Sequence, residues 1–162
     1  MFIYSVRAST LKFVAFVILT AVFLFGITAF ASEEYTPTAT TDGTVDYSGV
    51  STNEDRVAFI ERFGIKVDTD PREERSFPIP ENFDRVILGY NELQKKQGLD
   101  LSRYEKKRVT RYTYRVTNHT SEGDVYATLF IYRGRVVAAD ISSADPEGFV
   151  EPLTLVDKSK LK

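Results

Sequence analysis

The chain has 162 residues, of which 43% are apolar, 13% aromatic and 27% charged; this length suits one domain with an appendage, and the composition excludes a disordered or collagen-like chain. Its 21 basic and 23 acidic residues leave a net charge of −2, so nucleic acid is not an expected partner. With no cysteine and one histidine, disulfides, thiolate catalysis, iron–sulfur clusters and the common structural zinc sites are excluded.

The first element is a membrane segment. From Phe13 to Ala31 there are 19 residues without a charge. As a helix this run is roughly 28 Å long, close to the hydrocarbon core of about 30 Å. Every face of it is apolar, which argues against a core helix of a soluble domain. Arg7 and Lys12 precede the run, and Glu33 and Glu34 follow it. The positive-inside rule then predicts a single-pass protein of the cell membrane, with a cytoplasmic N-terminus and the rest outside. The alternative is a signal peptide. Ala29-Phe30-Ala31 has the small-x-small form of a cleavage site, and cleavage after Ala31 would leave a secreted protein. The length of the run favours the anchor, since signal cores have about 7–15 apolar residues. Without Arg7 and Lys12 the exported part holds 19 basic and 23 acidic residues, net −4.

Residues 32–50 are rich in Thr, Ser, Gly and Asp and show no period, so they read as a flexible linker with a reach on the order of 20 Å. Tyr35 and Tyr47 are its aromatics, read as ordinary linker residues. A domain is predicted over 51–153. Ser51 and Thr52 are N-cap residues, and Val57, Phe59, Ile60 and Phe63 form an apolar stripe before Gly64, giving a helix at 53–63. Ile65 to Val67 reads as a short strand, the charges around Pro71 as a turn, and Ser76 to Ile79 as extended because Pro78 and Pro80 follow. A second helix carries Phe83, Val86, Ile87, Tyr90 and Leu93 and stops at Gly98.

Three strands follow. Lys107 to Asn118 alternates, with Tyr112, Tyr114 and Val116 on one face and Arg111, Thr113, Arg115 and Thr117 on the other. Val125 to Arg133 is apolar on both faces, which marks a central strand. Arg133-Gly134 makes a tight hairpin into Arg135 to Ser142. Residues 154–162 read as a frayed basic tail. The fold class is α+β: two helices packed on one face of a small antiparallel sheet, made of a three-stranded C-terminal meander plus short extra strands, preceded by a transmembrane helix. No βαβ crossover pattern is present, which argues against a doubly wound nucleotide-binding sheet.

Three stretches carry a family resemblance: FIERFGIKVD at 59–68, the run from Ile79 to Asn118, and the Asp140 strand with LFIYRGRVVAAD. Within them, Tyr90-Asn91, Gln94, Gly98, Asp100-Leu101 and Tyr104 form the most specific order. Over residues 53–150 the chain resembles the bacterial family catalogued as domain of unknown function 4830, seen mainly in Firmicutes. The resemblance implies a small exported or membrane-anchored protein and brings no activity with it.

Catalytic and metal constellations are weak. His119 is the only histidine and falls in a turn without an orienting partner, and there is no Gly-x-Ser-x-Gly elbow or phosphate loop. Asp68, Asp70, Glu73 and Glu74 are close enough in sequence for glycoside hydrolysis or calcium, but Arg72 and Arg75 interleave, so a solvated turn is the better account. Asn118-His119-Thr120 has sequon form and reads as a turn. Gln94 is read as tying its helix to a loop. Asp140, assigned to the parity of Val136 and Ala138, is read as pairing with Arg111 or Arg115. No catalytic residue, cofactor or metal is expected.

One surface stands out. If the strands pair as read, Arg111 and Arg115 share an outer sheet face with Tyr126, Phe130 and Tyr132. Cations beside aromatic rings can hold an anionic wall polymer, a peptide or a sugar. The competing account covers that face with the chain's own segments, the arginine stems packing on the rings. The expectation is a non-catalytic, membrane-anchored extracytoplasmic domain that binds or senses at the cell envelope. The alternative is an accessory or assembly subunit touching another membrane protein, with a small hydrolase least favoured.

Overall fold

The computed structural model describes residues 45–145 and 147–162. The uncharged run from Phe13 to Ala31 lies outside the described residues, and so does the question of an anchor or a cleaved signal. Among the described residues no helix is long and apolar enough to cross a membrane.

Helix α1 spans Asn53–Glu61 and helix α2 spans Arg85–Lys95. Strands β1 (Glu73–Pro78), β2 (Arg108–Arg115), β3 (Val125–Tyr132), β4 (Arg135–Ser143) and β5 (Val150–Pro152) form one antiparallel sheet in the order β1-β2-β3-β4-β5. The α+β class and the meander therefore stand. Thr52 caps α1 in a reciprocal box with Asp55, and Asp84 caps α2 by accepting from the Ile87 amide at 2.8 Å. The hairpin between β3 and β4 turns on Arg133 and Gly134, both with positive φ, 49° and 72°. The positive φ favours glycine at 134, and a Cβ there would also come within 2.6 Å of Ser51 Oγ, which would have to turn aside.

The expectation of both helices on one face is corrected. Strand β3 is apolar on both sides, and each side needs a cover. On one face Phe59 and Ile60 of α1 pack with Tyr114, Ala127, Leu129, Val136, Ala139 and Ile141. Arg56 fixes α1 there as well: its Nε donates to Tyr114 Oη at 2.8 Å, and its guanidinium lies 3.7 Å from the Tyr112 ring centre. On the opposite face Tyr90 of α2 packs with Phe130, Val109 and Ala138. We call these the α1 face and the α2 face.

Other expectations are corrected at the ends of elements. The extended stretch read from Ser76 begins at Glu73, so Glu73, Glu74 and Arg75 are strand residues and pair with Thr113, Tyr112 and Arg111. The strand read at Ile65 to Val67 reduces to one bridge, Val67 to Val116. A bulge between Phe130 and Ile131 of the β3–β4 register places Val137 out of step. Val136 therefore joins the α1 core, while Ala138 and Asp140 lie on the α2 face.

The folded unit also extends beyond 51–153. Tyr47 is 6% exposed and Val50 3%, both inside the α1 core, so the end of the expected linker is part of the domain. At the other end Val156 is 8% exposed, Leu161 bridges to His119, and the Lys162 amide donates to Asn118 O at 2.7 Å, so 154–162 is a docked segment. Asn118, read as a turn residue, accepts from the Lys66 amide and donates to Gly64 O and Lys162 O, joining three segments.

Candidate functional site

The register puts Arg111 opposite Phe130 and Arg115 opposite Tyr126, on the α2 face as expected. The five residues do not form one continuous surface. Phe130 takes the edge of Phe77 at 5.5 Å and the tilted ring of Tyr90 at 5.8 Å, and Tyr132 takes the edge of Tyr104 at 5.6 Å. With Ile79, Leu101, Val109 and Ala138 they make a second core beneath α2 and the 3-10 turn Leu101–Tyr104. That half of the face is covered.

The other half is open. It contains Arg111, Thr113, Arg115 and Tyr126, with Arg72 and Glu73 arriving from the start of β1. Arg111 Nη2 meets Glu73 Oε1 at 2.7 Å, and Arg115 Nε meets Asp124 Oδ1 at 2.9 Å. The Arg115 hydrogen bond and charge hold the Asp124 carboxyl below its ordinary range, and the same pair holds the Arg115 guanidinium above its own. Both arginines are thus charge-paired with acids from neighbouring segments, although Arg111 Nε is buried without a hydrogen-bond partner. The cation without such a partner among the described ion pairs is Arg72, whose guanidinium lies 5.6 Å from the Tyr126 ring centre. Two shallow depressions meet at Arg72: one of about 430 Å³ floored by Thr113 and Tyr126 beside Glu73, one of about 490 Å³ between the Asp68–Arg72 loop and Arg115. Arg72 was read from sequence only as part of a charged turn. The β1–β2 register, which sequence alone did not fix, brings it over Tyr126.

Between the two halves lies Asp140. Its expected ion pair with Arg111 or Arg115 is replaced by a hydrogen bond: Tyr90 Oη donates to Asp140 Oδ2 at 2.7 Å. Asp140 is 6% exposed, and burial pushes its carboxyl up to about 6, against the pull of the Tyr90 and Ser142 hydroxyls and of Arg111. Burial and the Asp140 charge in turn push the Tyr90 phenol well above its ordinary value. Gln94 reaches β4, not a loop: its Oε1 accepts from the Ala139 amide at 2.9 Å.

His119 lies elsewhere. Its ring stacks on Phe149 at 5.2 Å and its Nδ1 accepts from the Ser121 amide at 3.1 Å. Burial, then Lys160, depress its pKa. Among the described residues no group of histidine, aspartate and glutamate could hold a metal ion. The open half offers an aromatic ring, guanidinium groups and carboxylates on a shallow floor.

A family model described as domain of unknown function (DUF4830) matches residues 59–141, just over half of the chain. The match runs from the last three residues of α1 to Ile141 in β4 and so includes the whole of α2 and the floor of the open half. The chain belongs to this family. No curated protein and no solved structure matches it.

Proposed function

We propose that this member of the DUF4830 family is a non-catalytic extracytoplasmic module, held at the cell membrane by its N-terminal segment, that binds an anionic wall polymer through the open half of the α2 face. The observation that carries this reading is Arg72 over Tyr126 at the meeting of two depressions, with Arg115 at the rim. An extended polymer needs a long shallow track with a ring to lie against and donors at intervals, and does not need a deep pocket. The uncharged run before the linker supports the membrane location.

Co-sedimentation of the full-length, detergent-solubilised protein with isolated cell walls tests the reading. Binding should weaken as salt rises, because exposed charges are screened at a Debye length of about 8–10 Å. Joint replacement Arg72→Ala and Tyr126→Ala should lower the affinity about tenfold or more, with little change in thermal stability since neither side chain is buried in either core. Undiminished binding by the double variant would overturn the assignment. A second reading, an accessory subunit on another membrane protein, draws on strand β1, an outer strand of the sheet whose residues are mostly exposed. Absence of wall binding together with loss of partner capture on Ser76→Pro would favour it.

A further inference from the structure

The covered half of the α2 face ends at a buried carboxyl. Tyr90 fastens α2 to the sheet twice, by its ring on Phe130 and by its hydroxyl on Asp140. The groups that face Asp140 are few. Tyr90 comes from α2, the uncharged Ser142 from β4 itself and Arg111 from β2, the last shared with Glu73 of β1. Its register neighbours on β3 and β5, Thr128 and Pro152, carry no charge.

The rest of α2 is lightly held. Its fully buried side chains are Asn91 and Gln94, both polar. Val86, Ile87 and Leu93 are only partly buried, and Leu88 is 51% exposed. The C-terminal end is pinned by Gln94 and Gln97, which bond the Ala139 backbone. The N-terminal turns have Tyr90 as their polar fastening to the sheet, and elements with few buried apolar contacts open at low cost.

We propose that Asp140 and Tyr90 form a proton-controlled latch: with a proton on Asp140 the first turns of α2 are held closed over Phe130, and loss of that proton loosens them and uncovers the apolar half of the face. In the closed state burial keeps the Asp140 carboxyl near 6, and in an opened helix, with water admitted, it falls toward its ordinary 3.8. The closed state therefore binds the proton more tightly. By linkage the equilibrium constant for opening rises from pH 5 to pH 7, by up to roughly tenfold. Acidification at the cell surface closes the helix, and neutral pH eases it. This device is independent of what the open half of the face binds.

Hydrogen exchange of the full-length protein in detergent, corrected for the intrinsic rate, tests it. Amides of the first turns of α2 should be less protected than those of β3, and their opening constant should rise between pH 5 and pH 7, by up to roughly tenfold. Openings confined to α1, which leave Asp140 buried, should stay flat. Asp140→Asn should abolish the dependence in α2. Should that variant not fold, Tyr90→Phe decides: losing the hydroxyl that lowers the carboxyl's pKa should move the midpoint of the dependence to higher pH, whereas a merely structural role would raise opening equally at every pH. A flat wild-type profile, an unchanged profile in Asp140→Asn, an unmoved midpoint in Tyr90→Phe, or exchange of α2 only together with β3 would each overturn the latch.

Discussion

Asp140, 6% exposed and hydrogen-bonded by the Tyr90 hydroxyl, ties the stability of the fold to pH. Its pKa is higher folded than unfolded, so its contribution to stability is full below about 3.8 and is lost as pH rises through about 6. The total is about 3 kcal/mol, from the difference between those two values at 1.36 kcal/mol per pH unit. Asp140→Asn should therefore gain stability relative to the native protein at pH 8 and lose that advantage at pH 4. Urea denaturation at both values checks it, and an equal difference at the two would show that Asp140 does not titrate. The identity of this residue was legible, since it lies in a strand that carries the family resemblance. Its surroundings were not. Parity counted from Val136 fails at the bulge, and the arginines expected to pair with it are taken by Glu73 and Asp124. Asn118 teaches the same lesson. The side chain of a presumed turn residue bonds Lys66, Gly64 and Lys162, contacts that all reach more than forty residues along the chain. Asn118→Ala should cost roughly 2–4 kcal/mol, the desolvation of the backbone groups it leaves behind.

The elements themselves were largely written in local signals. The Thr52 cap of α1, the glycine after each helix and the Arg133-Gly134 hairpin depend on residues close in sequence and stand where they were expected, whereas the Asp84 cap of α2 was not read and Phe83, expected inside that helix, precedes it. Which face each helix covers depends on the sheet, and there helix α2 departs from its pattern. Its apolar positions predict burial, yet the side chains it buries fully are Asn91 and Gln94. The reason is the outer edge of β4. That edge is paired by Tyr47 and Val50 near Gly134 and Val136, and by β5 from Asp140 to Ser142. At Ala139, between them, no strand is present. Gln94 accepts from the Ala139 amide, Gln97 donates to its carbonyl, and Gln97 Oε1 accepts from the Thr154 amide at 3.2 Å. Two side-chain amides thus stand in for a missing strand residue, which satisfies buried backbone groups that would otherwise cost stability. Gln97→Ala should lower stability by roughly 2–3 kcal/mol in chemical denaturation, while Lys96→Ala one position earlier, on the exposed side, should change it by less than about 0.5 kcal/mol.

At the scale of the molecule the two faces are closed to different degrees. The α1 face carries the larger core, sealed by α1, by the segment from Val45 to Val50 and by the C-terminal residues. The α2 face is sealed only where α2 and the Leu101–Tyr104 turn reach, and this inequality leaves its other half open. The sealing by the termini could not be read from sequence. A Ser, Thr and Gly-rich linker and a lysine-rich tail look alike whether they dock or not, because what docks them is a few apolar residues and backbone bonds to distant partners. The docking is testable at the single histidine. Ending the chain after Leu155 removes Val156, the Leu161 bridge to His119, the Lys162–Asn118 and Thr120–Lys160 backbone bonds, and the Lys160–Glu151 pair. Burial of the apolar side chains and the hydrogen bonds together are worth roughly 4 kcal/mol, so the melting temperature should fall by roughly 10 °C or more. A frayed tail would leave it nearly unchanged. His119 reports the same event locally. In the intact chain, burial and Lys160 hold its pKa below the ordinary 6.5. Truncation removes Lys160 and opens the ring to water, so the imidazole should titrate closer to 6.5. With one histidine in the sequence, its ring proton resonances can be followed without ambiguity. A pKa that stays put while the melting temperature drops would mean that the segment stabilises the fold without covering His119, and the packing described for this corner would be wrong.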